Sequence, residues 1–252
     1  MIHGYGYVYV PNSDEGAFSD APTRGIARNS NRKPPFIAVH RAMKTIIITR
    51  WPGKLLMVDI IDPVTKEDLS PTDFFPTMDS TGYTRAVAVK IQEQVPIHKL
   101  FGQNGEQVVT LINAASNLTE SQVSIISKHF IESNADLYDK AWNVWLKGTT
   151  GLRCQSNSQY RDMLSSSGSS DSSPIGIGFR LISSTVFRRA EEIANDTAVL
   201  VDEEGEYELN VQWSRATSIL LQAAMSYASE SLLNEKEREM LLMPWKNSRV
   251  ET

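Results

Sequence analysis

Cysteine and long apolar runs are scarce in this sequence. The 252 residues include a single cysteine, Cys154, which excludes an internal disulfide and any zinc site built on several cysteines. The longest uninterrupted apolar runs, such as that at 55–58, are far shorter than the roughly 18 residues that a membrane-spanning helix needs. The first ten residues lack the basic and apolar regions of a signal peptide. We therefore expect a soluble, cytoplasmic protein with no membrane partner.

Sequence signatures of nucleotide-binding and catalytic sites are also missing. No P-loop pattern occurs, and neither Gly4-x-Gly6 nor Gly176-x-Gly178 stands between a strand and a helix as a dinucleotide fingerprint requires. The four histidines show no metal-binding spacing, and no Gly-x-Ser-x-Gly pattern marks a nucleophile elbow. We therefore expect neither a metal nor another cofactor, and we favour a protein that is not an enzyme.

Acidic side chains are absent from one long stretch, between Ala21 and Val58. This segment carries +8 and the rest of the chain −13, which together give the net charge of −5. Its eight basic residues are Arg24, Arg28, Arg32, Lys33, Arg41, Lys44, Arg50 and Lys54. Charge asymmetry of this kind is typical of proteins with a polyanionic partner.

Two interpretations of the basic segment remain open. Cations along a loop can contact the phosphates of a nucleic acid, while Trp51 and the tyrosines of the segment Tyr5–Tyr9 offer stacking faces for bases. The hypothesis is then a non-enzymatic protein that contacts DNA or RNA through residues 24–54, as a subunit of a nucleoprotein assembly. The alternative is a solvated loop whose cations pair with the protein's own acids. We expect Tyr5, Tyr7 and Tyr9 to lie on one face of a strand and to be buried in the core.

An acidic pair at a strand end suggests a first enzymatic alternative. Asp59 and Asp62 follow the apolar start of a predicted strand, and Mg²⁺ in phosphodiester hydrolysis is held by one or two carboxylates together with phosphate oxygens. A Mg²⁺-dependent nuclease is therefore one reading. Asp62 followed by Pro63 is also an ordinary turn opener, and Lys90 lacks the acidic neighbour that the usual nuclease motif supplies.

Three short motifs suggest a second enzymatic alternative. An arginine at a strand end (Arg50), the triplet Ser183–Thr185 after a strand, and Glu206-x-Glu208 resemble elements of the ADP-ribosyltransferases. In that family the arginine and the serine hold NAD⁺ and the last glutamate stabilises the oxocarbenium-like transition state, so the resemblance implies an NAD⁺-using enzyme with Glu208 at its centre. Without the family, the triplet is a helix N-cap and the acids are a hairpin tip. A third hypothesis is a protein–protein adaptor or inhibitor that uses the helices of 214–244.

Alternation of apolar and polar residues predicts strands in both halves of the chain. Residues 11–35 and 62–83 are rich in turn-forming residues and are predicted to be irregular. The predicted strands are 5–10, a hairpin within 45–61, 85–92, 107–113 after a turn at Asn104-Gly105, 175–182, and a hairpin of 198–201 with 207–211.

Capping signals and helical periodicity predict the helices. Thr119 and Gln122 have the spacing of a capping box before an apolar face, and Asn234 with Glu237 has the same spacing near the end of the sequence. The predicted helices begin after Thr119, and further ones cover 135–147 ending at Gly148, 185–194, 214–233, and a final helix from Asn234 that ends at Pro244.

The order of these elements favours an α+β fold. The N-terminal half is mainly antiparallel β, the middle is helical, and the C-terminal part is mixed and ends in helices. A serine-rich stretch at 164–174 is predicted to be a flexible loop or linker. It divides the chain into a domain of residues 1–163 and a C-terminal part of 175–252, which can also pack together as one domain.

Overall fold

The computed structural model describes residues 3–13, 16–19, 23–29, 32–48, 50–78, 82–150, 174–201, 205–227 and 232–249. Clustering of backbone contacts separates two compact units, one of strands up to Leu100 and one that comprises Phe101–Thr150 and the residues from Ile175 onward. Both helices and strands are present, in the predicted order, so the α+β class is confirmed. The predicted linker 164–174 lies outside the described residues except for Pro174, and the predicted domain division stays a prediction.

The first unit is an antiparallel sheet whose pairings close into a ring. Its strands in the described residues are β1 (Tyr5–Pro11), β2 (Gly25–Arg28), β3 (Ile37–His40), β4 (Gly53–Pro63) and β5 (Tyr83–Val95). β1 pairs with both β3 and β4, and both of these pair with β5, while β2 adds to β5 alone. Register shifts along β4 let the sheet curl, since a bulge bends a strand and raises its twist.

The core of the first unit lies inside this ring, and strand alternation decides what fills it. Val8 and Val10 of β1 point inward together with Val58 of β4. The tyrosines of β1 are therefore on the opposite, outer face, where Tyr5 is 66 % exposed. The prediction that the tyrosine face is buried in the core was wrong. The interior is filled by smaller residues, the valines and Gly6, and it is tight there, because a Cβ at Gly6 would overlap the carbonyl oxygen of His40.

Two predictions about strand boundaries in the first unit were also wrong. The β-branched run at 45–49 does not form one arm of a hairpin: Met43–Thr45 is a 3-10 turn, and β4 begins only at Gly53. β4 instead pairs with β1 and β5, which are distant in sequence and therefore invisible to a local pattern. The predicted irregular stretch 11–35 contains β2.

The second unit consists of helices and one small hairpin. Its helices are α1 (Gly105–Ser116), α2 (Glu120–Lys128), α3 (Asn134–Thr150), α4 (Pro174–Ala198), α5 (Val211–Ser226) and α6 (Glu235–Ser248). The hairpin joins β6 (Val199–Val201) to β7 (Tyr207–Leu209), as predicted. α4 is interrupted near its end at Ala194, whose φ of −150° and ψ of 36° are not helical.

Two segments predicted as strands are helices. The segment 107–113 lies in α1, where Val108, Leu111 and Ile112 are buried at helical spacing. The segment 175–182 lies in α4, and Gly178 allows close packing there, because an added Cβ would stand 3.1 Å from a methyl carbon of Val108. Short apolar runs do not separate a strand from a buried helix, and here tertiary burial favours the helix.

The capping signals were read correctly, whereas the predicted helix ends were less accurate. Thr119 accepts a hydrogen bond from the Gln122 amide at the start of α2, and Asn234 does the same for Glu237 at the start of α6. α3 continues beyond Gly148 to Thr150. Pro244, predicted to stop the last helix, lies inside α6. The long predicted helix 214–233 is shorter, since α5 ends at Ser226. Among the helices described, none has the length and apolar composition to cross a bilayer.

Candidate nucleic-acid interface

Two of the eight predicted contact residues are held by the protein's own acids. Arg32 binds two carboxylates at once: its Nε and Nη2 donate to Asp68 at 2.9 and 2.8 Å, and its Nη1 donates to both oxygens of Asp62 at 2.9 Å. Nη1 of Arg28 lies 3.4 Å from the same Asp62. Arg32 has a φ of 47°, in the left-handed region that a residue of this size rarely adopts. This strained backbone turns its guanidinium between the two carboxylates.

Hydrogen bonds within the Arg32 network shift the pKa values of Asp68 and Arg32. Hydrogen bonds from Arg32, followed by that from the Thr65 amide, lower the pKa of Asp68 below its usual range. Hydrogen bonds to Asp68 and then Asp62 raise the pKa of Arg32. The guanidinium groups of Arg28 and Arg32 thus lie against the carboxyl groups of Asp62 and Asp68, within the protein itself. For these two residues the alternative of internal pairing is confirmed.

The strand register places two of the predicted cations, Arg28 and Lys54, far apart. Arg28 is level with Ala88 of β5, and Ala88 is level with Asp62 of β4. Lys54 stands at the other end of β4, eight residues from Asp62, which is about 26 Å along the strand at 3.3 Å per residue. Arg28 and Lys54 therefore lie at opposite ends of the sheet.

The other predicted residues lie on separate segments of the first unit. Arg24 is exposed just before β2, Lys33 is exposed near Arg32, and Arg41 is exposed just after β3. The carbonyl of Lys33 accepts a hydrogen bond from the amide side chain of Asn29 at 2.6 Å. The backbone of Lys44 lies in a 3-10 turn, and its side chain is outside the described part of the structure.

At the Lys54 end, residues 50–52 form a bend that leads into the first two residues of β4, and we call residues 50–54 together the Trp51 loop. The hydroxyl of Tyr9 donates to the carbonyl of Arg50 at 2.7 Å, and the amide of Asn12 donates to the carbonyl of Pro52 at 3.0 Å. A Cβ at Gly53 would overlap the Tyr9 ring, so glycine is required for this approach. Burial raises the pKa of Tyr9, which keeps the hydroxyl protonated as the donor.

The side chains of the Trp51 loop combine positive charge with an aromatic ring. Arg50 is exposed, and Trp51 and Lys54 are each half-buried. The two anchoring hydrogen bonds come from β1 and from the residue that follows it, so a regular strand positions the loop. A guanidinium, an ammonium and an indole held within five residues can contact phosphates and stack on a base.

The residues of the nuclease alternative are engaged with other side chains. Asp59 accepts a short hydrogen bond from the amide of Gln92, and both oxygens of Asp62 accept from Arg32. A carboxylate held by a guanidinium offers less charge to a cation. In the described ranges, no group of three histidine, cysteine, aspartate or glutamate side chains is placed to hold a metal ion.

The three motifs that resemble ADP-ribosyltransferases lie on different units. Arg50 belongs to the first unit, whereas Ser183–Thr185 and Glu208 belong to the second. Ser183–Thr185 does not follow a strand, as the resemblance implies, and is not a helix N-cap: it lies within α4, where Thr185 is buried. Glu208 lies on β7 and is exposed. The protein partner predicted for the helices of 214–244 stays a prediction.

Sequence reasoning missed the acidic half of the Arg32 network and the role of Tyr9. Thr65 and Asp68 form a capping box around a 3-10 turn, a spacing that could have marked Asp68 as a structural acid. The pairing of Asp62 with Arg32, thirty residues apart, and the bond from Tyr9 to Arg50 have no local signal. Comparisons with protein-family models, with curated proteins and with solved structures found no match to this chain.

Proposed function

We propose that this protein is a non-enzymatic, single-stranded nucleic-acid-binding protein that contacts its ligand through the Trp51 loop. The observation that carries this proposal is the loop itself: Arg50, Trp51 and Lys54 presented together on a strand-anchored backbone. Relative to the full basic segment, Arg28 and Arg32 are removed from the contact set because Asp62 and Asp68 already bind them.

Charge supports the choice of the first unit for a polyanion. Residues 1–100 contain twelve basic and ten acidic side chains, a net charge of +2, whereas residues 101–252 contain thirteen and twenty, a net charge of −7. The Trp51 loop stands within the segment that has no acid at all. Association with a polyanion is driven by release of counterions from its phosphates, and acidic neighbours would oppose it.

The aromatic ring favours single strands over duplexes. In a duplex the bases are stacked on one another, whereas unpaired bases can stack on an indole, which contributes about 1–3 kcal/mol per base. Arg50 adds a planar group that pairs with a phosphate through two hydrogen bonds. The expected ligand is therefore an unpaired stretch of RNA or DNA bound with little sequence preference.

The test is a titration of labelled single-stranded RNA and, separately, single-stranded DNA at several salt concentrations, followed by fluorescence anisotropy. Two lost phosphate contacts in Arg50→Glu/Lys54→Glu should reduce the slope of log K against log salt by about 1.4, since each contact to a single strand contributes about 0.7. Trp51→Ala should weaken binding without changing this slope, because stacking releases no counterions.

Lys236→Glu is the matched control, because Lys236 is an exposed lysine in the first turn of α6, where an acidic residue is well tolerated. It should bind like the parent protein. Unchanged affinity and slope in the double variant, or no binding by the parent protein at about 50 mM salt, would overturn the proposal. Comparison of the RNA and DNA titrations decides between the two ligands.

A further inference from the structure

The β6–β7 hairpin is unusual in the second unit because its apolar side chains face solvent. Val201 and Tyr207 are direct cross-strand partners and are 61 % and 67 % exposed, and Leu200 is 50 % exposed. Val211, just beyond the hairpin, is also exposed. Exposed single apolar residues are ordinary, but several in one short hairpin mark an interaction surface.

In the part of the chain that the structure describes, the outer edges of the hairpin also have no strand partner. Within the described residues β6 pairs with β7 and β7 with β6, so each strand keeps one edge of amide and carbonyl groups without a strand partner. A two-stranded sheet is at best marginally stable in water, and an open edge is a template for addition of another strand. A partner that adds a strand would satisfy the backbone and cover the apolar side chains together.

Charge selects the kind of partner. Residues 198–214 contain no basic side chain and five acidic ones, which are Asp202, Glu203, Glu204, Glu206 and Glu208. Two such hairpins would repel one another, so pairing of the hairpin with the same hairpin of a second copy is disfavoured. The complementary surface must be basic, must expose an apolar side chain and must offer a strand edge.

The first unit of the same chain meets all three requirements at β2. In the described part of the sheet β2 is a terminal strand that pairs with β5 alone. Its Ile26 is 54 % exposed, and the exposed Arg24 precedes it by two residues, so both lie on one face of the strand if it continues outward. β2 lies wholly within the segment that has no acidic residue.

We propose that the β6–β7 hairpin of one copy adds to the β2 edge of a second copy. Leu200 then covers Ile26, and Glu208, its cross-strand partner on the same face of the hairpin, lies near Arg24. The contact joins two different surfaces, so it is head-to-tail and leaves an unused hairpin at one end and an unused β2 at the other. Association therefore continues into longer oligomers. This contact is separate from the Trp51 loop and does not depend on the proposed nucleic-acid binding.

Complementation by mixing gives the sharpest test, with nuclease-treated full-length protein studied by sedimentation velocity. Ile26→Asp blocks the β2 edge, and Leu200→Asp blocks the hairpin on the face that carries Glu208. The parent protein should form oligomers whose mean mass rises with concentration and falls with salt. Each variant alone should be monomeric, while an equimolar mixture should form a dimer and nothing larger, because one good hairpin then meets one good β2.

Other outcomes overturn the proposal. A parent protein that stays monomeric at all concentrations removes the contact altogether. If Ile26→Asp self-associates and Leu200→Asp does not, the hairpin pairs with itself. A mixture that stays monomeric, with both variants folded by circular dichroism, also contradicts it.

A charge exchange provides a second test that leaves Ile26 and Leu200 intact. Arg24→Glu and Glu208→Lys should each weaken self-association by about tenfold, because like charges then face each other at the interface. The combined variant Arg24→Glu/Glu208→Lys should recover most of the lost affinity. Equal weakening in all three variants would show that the two residues do not meet, and would overturn the proposed contact.

Discussion

Tyr9→Phe tests whether one hydroxyl positions the Trp51 loop. The substitution keeps the ring that packs against Gly53 and removes only the 2.7 Å hydrogen bond to the carbonyl of Arg50. Tyr5→Phe is the matched control, since Tyr5 lies on the same face of β1 but is 66 % exposed. The pair of variants therefore separates the hydrogen bond from the general effect of losing a phenol.

The expected cost follows from the surroundings of the bond. A hydrogen bond between uncharged groups contributes about 0.5–1.5 kcal/mol to stability. Arg50 is exposed, so its carbonyl can bind water once the hydroxyl is gone, which places the loss in the lower part of that range, about 0.5–1 kcal/mol. A change of this size raises the population of the detached loop about two- to fivefold.

Fluorine NMR on protein labelled with 5-fluorotryptophan measures this locally. The chain has five tryptophans, of which Trp51 alone lies in residues 1–100. Tyr9→Phe should shift or broaden the Trp51 signal and leave the other signals unchanged, and it should lower the urea midpoint of the first unit. Tyr5→Phe should do neither. Identical spectra and midpoints for the two variants would refute the anchoring role of Tyr9.

The pH dependence supplies an independent check on the same residue. Burial raises the pKa of Tyr9 in the fold, so its contribution to stability is complete below the unfolded value of about 10 and is lost as the pH rises above it. The parent protein should therefore lose stability above about pH 10 more steeply than Tyr9→Phe does. Parallel curves would mean that Tyr9 ionises as readily in the fold as in the unfolded chain.

The remaining predictions concern the Arg32 network and the second unit. Because Arg32 and Thr65 lower the pKa of Asp68, the parent protein should lose stability as the pH falls below about 4, and Asp68→Asn should lose less; equal slopes of urea midpoint against pH would contradict this. Asn234→Ala removes the N-cap of α6 and should cost about 1 kcal/mol in urea unfolding, which Asn234→Ser should largely restore. Leu220→Ala empties a fully buried site on α5 and should cost about 2–5 kcal/mol; a loss comparable to a surface substitution would show that the site is not packed.

The sequence predicted those parts of the fold that local chemistry decides. The helix starts at Thr119 and Asn234 were readable because a cap and its partner are three residues apart. The segments 107–113 and 175–182 were misread because a short apolar run fits a strand and a buried helix equally well. Packing between distant residues distinguishes a strand from a helix here, since Val108 lies close to Gly178, seventy residues away.

The candidate site shows the same division between local and distant information. The cations and Trp51 could be found from composition, since charge and aromatic content are visible in the sequence. The arrangement of these residues could not be predicted, because it depends on the register of β4 against β1. It also depends on Asp62, which binds Arg28 and Arg32. Part of the acid-free segment, at Arg28 and Arg32, is thus paired with the protein's own acids.

The ring of strand pairings also sets the order in which the first unit can be completed during synthesis. β5 is the common partner of β2, β3 and β4, and it is made after all of them. From the end of β4 to the end of β5 the ribosome adds about 32 residues, which takes about 2–6 s at 5–20 residues per second. For that interval the apolar faces of β1 and β4 have no closed core to enter, and the nascent chain offers them, with the open edge of β3, to any chaperone that binds extended apolar segments.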